Sequence, residues 1–193
     1  KNIIVGVNMS VMSLDVGFSS TGYVIWDKGK PVSCGVVKTE ATKKKSTRIA
    51  DDNATRAMEM AYAFKRIIEE HDVKGIVGEL PSGGAQSARA IAHMALATGS
   101  ISAIAGMAGI PCEWCTPIEN KKAMTGKRSA GKDEMMDAAI KMCGGSMRES
   151  KRAKHYSLIP GLPEFCGGEF EHIADAVGAY YALQNCTLVK LLQ

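Results

Sequence analysis

Asp15 closes one apolar run (VMSLDV), Glu79 closes a second (GIVGE), and His172 and Asp175 stand three residues apart in EHIADAVGAYYA. Three carboxylates and an imidazole are side chains suited to a divalent-metal site. The hard oxygens favour Mg²⁺, and the imidazole makes Mn²⁺ a natural substitute. Taken alone, an Asp at a strand end is more often a turn residue, and a lone helical His is usually structural. Glu79 is harder to treat that way, because a Glu directly after Ile76, Val77 and Gly78 should be partly buried. A buried carboxylate without a cation is costly or protonated. On a helix, His172 and Asp175 lie one turn apart on one face, a spacing that suits shared ligation.

Ligands so far apart in sequence can meet only if a fold gathers them, and the periodicity predicts such a fold. Residues 11–16, 21–27 and 31–38 are rich in β-branched residues and separated by short Gly, Ser or Lys-Gly turns, which predicts a three-stranded antiparallel meander. A helix follows over about 49–70, where Ala57, Met60, Ala61, Phe64, Ile67 and Ile68 recur at helical spacing. Residues 74–79 form a short buried strand, 87–107 an Ala-rich helix with many small residues, and 111–116 a fifth strand. Pro117 opens a helix to Thr125, a further helix runs from Gly131 to about Met142, and a Gly-rich basic connection leads to a last helix over about 171–186. This order gives an α/β fold of ribonuclease H-like pattern, a five-stranded mixed sheet flanked by helices, as one domain over 1–193. In such sheets ligands gather beyond the carboxyl ends of neighbouring strands, where Asp15 and Glu79 stand. His172 and Asp175 are expected in the first turn of the last helix, at its positive end.

Composition sets outer bounds. With 46% hydrophobic and 23% charged residues in 193, the chain can bury one substantial core. It contains no uninterrupted apolar run of eighteen residues and no signal-like start, so a cytoplasmic protein away from membranes is expected. Six irregularly spaced cysteines do not make a disulfide scaffold. Cys112 and Cys115 form a CxxC without the second pair a zinc site would need. Net charge is only +4, yet the cations cluster: Lys43, Lys44, Lys45 and Arg48; Lys121, Lys122, Lys127, Arg128 and Lys132; Arg148, Lys151, Arg152 and Lys154. Any one cluster could be a solvated loop, whereas three near candidate site segments point to a polyanion.

Together these residues resemble the RuvC family of Holliday junction resolvases, particularly its bacteriophage branch. LDVGFSSTGYVIWD is similar to the family's first motif and places the first catalytic carboxylate at Asp15; Asn8 in IIVGVN has the wrong distance to Thr21-Gly22. The strand ending in Glu79 resembles the second motif. PIENKKAMTGKRSAGKDEMM resembles the third, with Lys121, Gly126 and Lys132 in register, and EHIADAVGAYYA resembles the fourth. Where family members commonly carry an aromatic that wedges into the junction, this chain reads LPSGGAQS.

The resemblance implies a homodimeric endonuclease resolving four-way junctions by paired symmetric nicks. Asp15, Glu79, His172 and Asp175 would ligate two Mg²⁺ or Mn²⁺ ions per site, and two such ions can clamp the attacking and leaving oxygens of a phosphodiester. Lys132 and Lys121 match family positions at the scissile phosphate. Lys43, Lys44, Lys45, Arg89, Lys122, Lys127 and Arg128 would hold junction-arm phosphates, and the 87–107 helix would form the dimer contact. Neutral His172 would be needed, so activity should fall as pH drops through about 6.5. Three alternatives stand beside this reading. One is a broader fork and flap endonuclease, one a non-catalytic junction binder, and one an actin-like ATPase, since DVGFSSTG also resembles that fold's phosphate loop.

Overall fold

A computed structural model describes residues 9–81, 87–150 and 153–192. Strands β1 (Ser10–Asp15), β2 (Ser20–Asp27) and β3 (Lys30–Lys38) form the expected meander. Helix α1 (Ile49–Glu70) leads to β4 (Val73–Glu79), and α2 (Ala88–Ala108) leads to β5 (Cys112–Cys115). The sheet order is β3-β2-β1-β4-β5, with β4 parallel to both β1 and β5. This is the ribonuclease H-like arrangement that the alternation of elements predicts.

Side-chain alternation splits the core in two. Met12, Leu14, Ile25 and Ile76 face Met60, Phe64 and Ile68 of α1 and Ala97, Ile101 and Ala105 of α2. Val11, Val24, Trp26 and Val77 face the opposite side, which is covered by α3 (Pro117–Thr125), α4 (Lys132–Cys143), α5 (Gly167–Leu183) and the short α6 (Thr187–Leu191). By the period of two, Asp15 and Glu79 share this second face. Trp26 anchors it: its indole stacks on Tyr180 with centroids 3.7 Å apart, and its Nε1 donates to buried Ser13 Oγ at 2.8 Å.

Three features differ from the sequence expectation. The 144–168 connection contains a three-stranded antiparallel sheet, β6 (Ser146–Glu149), β7 (Lys154–Ser157) and β8 (Glu164–Cys166). Every residue of β6 is exposed, so it lacks the apolar alternation that marks a strand. Second, α5 begins at Gly167 rather than near Glu171, which moves His172 into the second turn and Asp175 into the third. The helix-end argument for those ligands therefore falls, because the dipole effect fades beyond the first turn. Third, α2 is long and apolar enough to cross a membrane by length and composition, and 17% of that window is buried. Small and hydroxylic residues such as Thr98, Gly99, Ser100 and Ser102 interrupt its apolar pattern.

Candidate metal-binding site

The parallel register pairs Asp15 directly with Glu79, which sets two carboxylates on neighbouring strands about 4.8 Å apart at backbone level. On the other side, the antiparallel register pairs Asp15 with Gly22. A Cβ at Gly22 would lie 2.2 Å from the carbonyl oxygen of His172. Absence of a side chain there lets α5 rest on the sheet, and His172 Nδ1 reaches Asp15 Oδ2 at 2.7 Å. Backbone atoms cannot move aside cheaply, so Gly22→Ala is expected to destabilise the fold by about 3 kcal/mol. Denaturant unfolding checks this; a change under about 1 kcal/mol would show that α5 can lift without cost.

Burial and mutual repulsion set the electrostatics. Burial, helped by Asp15, pushes the Glu79 carboxyl up to about 7, against the opposing pull of its Asn120 hydrogen bond and of Lys121. Asp175 is pushed up to about 8 by burial and by the charges of Asp15, Glu79 and Glu171. The bond to Asp15 raises the His172 pKa, with burial opposing. Acids held this far from their ordinary range need either protons or a cation, and a hard divalent ion fits the donor set. Among the described residues no three such donors already converge on one metal-sized point. Their oxygens are partly engaged elsewhere, Asp15 Oδ2 by His172 and Glu79 Oε2 by Asn120.

Asn120 is the residue that the sequence reading missed. It is fully buried on α3, where it donates through Nδ2 to Glu79 Oε2 and to the Asp175 carbonyl oxygen at 2.9 Å. Its signal was its spacing from buried Met124 on a helix whose start is fixed by the Thr116–Glu119 capping box and Pro117.

The basic residues divide. Lys132, first residue of α4, pairs with Glu171 Oε1 at 2.6 Å, which, with a smaller contribution from the charge of Asp175, raises its pKa. Lys121 on α3 acts on Glu79. Lys122 and Arg128 are exposed, and Lys127 is ion-paired with Glu134. Lys43, Lys44 and Lys45 lie exposed between β3 and α1, and Arg89 is exposed in the first turn of α2. None of these four has a described contact with the carboxylates. Lys151 and Arg152, Asn8 and most of the LPSGGAQS segment lie outside the described residues. The Cys112 and Cys115 thiols are both raised by burial, Cys115 to about 12, which leaves it inert. A cleft of about 430 Å³ opens beside His172, lined by Ser20, Lys38, Cys166, Gly168 and Glu169. A more apolar hollow of about 450 Å³ lies between α1 and α2. Those helices cover the face of the sheet opposite Asp15 and Glu79.

A ribonuclease H-like sheet carrying acids at the carboxyl ends of adjacent strands, met by a helix bearing His and Asp, defines the class. No family model matches the sequence. The crossover junction endodeoxyribonuclease RuvC of Rhodococcus opacus is 29% identical, over 66% of this chain and 65% of that protein. The protein of the same name from Saccharopolyspora erythraea is 24% identical, over 70% of this chain and 66% of the relative. These matches span just under two thirds of the relatives' lengths. The Thermus thermophilus RuvC structure shares the fold at a TM-score of 0.62, with 17% identity over 90% of this chain and 92% of that one. T. thermophilus RuvC in complex with Holliday junction substrate aligns at 0.66, with 18% identity over 94% and 96%. In sequence the chain is thus similar to these RuvC proteins, and in fold to the Thermus structures.

Proposed function

We propose that this protein is a divalent-metal-dependent endonuclease that resolves four-way DNA junctions. One observation carries the reading: Asp15 and Glu79 are paired across β1 and β4, with His172 bonded to Asp15 and half-buried Asp175 one turn further along α5. Asp15, Glu79, His172 and Asp175 would hold Mg²⁺ or Mn²⁺, two ions per site, which supply an activated water and charge neutralisation for phosphodiester hydrolysis. The names of the curated relatives support the same reading, as does the complex of the Thermus protein with its substrate.

The chain's own residues do the rest. Asp15 keeps His172 oriented through Nδ1, so Nε2 is the ring nitrogen left for a ligand. Lys132 is 74% exposed, and its exposed pairing with Glu171 is easily exchanged for a phosphate. Lys132→Ala is expected to slow cleavage about 10²-fold, with junction affinity changed by less than about threefold. Equal losses in single-turnover rate and in binding would reduce Lys132 to an ordinary phosphate contact.

Two cuts placed symmetrically need two copies of the site. The outward side of α2 supports a homodimer, since Ile91 is 56% and Met107 90% exposed on a helix of apolar and small residues. Lys43, Lys44, Lys45, Arg89, Lys122, Lys127 and Arg128 would then follow the junction arms within the cytoplasm of a bacterium or a phage-infected cell. The absence of an aromatic in LPSGGAQS favours a second reading, a broader branched-DNA endonuclease. Cleavage of end-labelled junction, fork, flap and linear duplex, with Mg²⁺, Mn²⁺ or chelator, separates the two. Paired nicks in the junction alone support the resolvase, and comparable cutting of forks and flaps supports the broader enzyme. Metal-independent binding without cutting would remove both.

A further inference from the structure

We propose that Asn120 is a positioning residue that fixes how Glu79 meets a divalent cation, leaving that carboxylate one free oxygen. The inference rests on the metal-dependent reading above and adds a residue that the ligand set does not contain.

Asn120 sits on a lysine-rich helix, yet it has no exposed surface. Its Nδ2 carries two hydrogens, and both are used, one on Glu79 Oε2 and one on the Asp175 carbonyl oxygen. Because both neighbours are acceptors, the amide has one satisfactory orientation; inverted, it would set Oδ1 against a carboxylate and a carbonyl. Oδ1 turns instead toward Gly178, where an added Cβ would lie only 1.6 Å away, and it is buried without a hydrogen-bond partner. A buried acceptor without a donor is a cost to folding. A valine would fill a similar volume without that cost. The amide's value at this position therefore lies in Nδ2, and in what Nδ2 holds.

Nδ2 ties the side chain of Glu79, on β4, to the main chain of Asp175, on α5. The two acids come from different layers of the fold, and Asn120 links them independently of the Asp15–His172 bond. With Oε2 engaged, Glu79 presents Oε1 alone, as a one-oxygen ligand. Partners of this kind orient a ligand before the ion arrives, and their loss typically costs about 10 to 100-fold in metal affinity.

The test uses the whole protein as wild type, Asn120→Val and the isosteric Asn120→Asp. Mn²⁺ binding is followed by electron paramagnetic resonance, single-turnover cleavage of a synthetic four-way junction as a function of Mg²⁺, and melting of the metal-free protein. The expected result for Asn120→Val is Mn²⁺ affinity weakened about tenfold or more. Its cleavage should return toward the wild-type rate at saturating Mg²⁺, and its melting temperature should not fall. Asn120→Asp keeps the packing against Gly178 but replaces the donating amide with a carboxyl oxygen. It should weaken Mn²⁺ binding in the same direction and serves if the valine variant does not fold. A folded variant with Mn²⁺ affinity within about twofold of wild type overturns the proposal, as does a lost maximal rate with unchanged affinity. Wild-type protein that neither binds Mn²⁺ nor cuts branched DNA overturns the nuclease reading itself, and that outcome is read before any variant is compared.

Discussion

Asp15→Asn is expected to leave a folded protein that binds four-way junctions with near wild-type affinity and cleaves them at least about 10³-fold more slowly. The residue stands where the two registers of β1 cross: Glu79 lies on one side, and Gly22, with His172 behind it, on the other. The amide keeps the size and one acceptor oxygen of the carboxylate, so packing should survive, but it cannot supply the charge that draws a cation between Glu79 and Asp175. Several kilocalories of transition-state stabilisation go with that charge, and about 1.4 kcal/mol corresponds to each factor of ten. End-labelled cleavage beside a gel-shift titration checks both halves. Residual cutting above a few per cent of wild type would move the central role to another acid; lost binding would mean that Asp15 shapes the DNA surface.

The second large effect is a dependence of stability on pH that metal should reverse. Glu79 and Asp175 have folded pKa values of about 7 and about 8, well above the ordinary carboxylate range, and His172 is also raised. The folded state therefore holds protons that the unfolded chain has released. For a group raised on folding, the stabilisation is complete below its unfolded pKa and is lost as pH rises through its folded one. Metal-free protein should accordingly be less stable at pH 8.5 than at pH 5.5, by on the order of a few kcal/mol, and melt at a lower temperature. A bound divalent cation takes the place of those protons, so Mn²⁺ affinity should rise with pH between about 6 and 8 and binding should release protons. Calorimetry in buffers of different ionisation enthalpy counts them, and Asp175→Asn should flatten the metal-free melting profile. A melting temperature that climbs toward pH 8.5 without metal, or binding with no proton release, would contradict the assignment. The raised values also move the expected acid-side loss of activity above the roughly 6.5 of a free imidazole. The acids and the Asp15-bonded imidazole give up protons later than free groups do, so the decline on the acid side should begin between about 7 and 8.

The sequence by itself determined the sheet, the long helices and four of the residues in the candidate site. Strand and helix periods are local, and apolar runs that end in Asp15 and Glu79 show both the strand and its end. The spacing of His172 and Asp175 holds for any helix that contains them, so it survived the misplaced start of α5, where Gly167 and Gly168 read as connection. The small sheet of β6, β7 and β8 escaped because β6 is exposed throughout and β7 and β8, at four and three residues, are too short to show an alternation. What only the tertiary structure decided is how the ligands are held. Asp15 bonds to His172 because Gly22 lets a distant helix close on the sheet, and Asn120 reaches Glu79 because Gly178 on that same helix leaves room for an amide. Those contacts join residues dozens of positions apart, and their energies depend on burial and direction. Neither is written in the identity of an asparagine between a glutamate and two lysines.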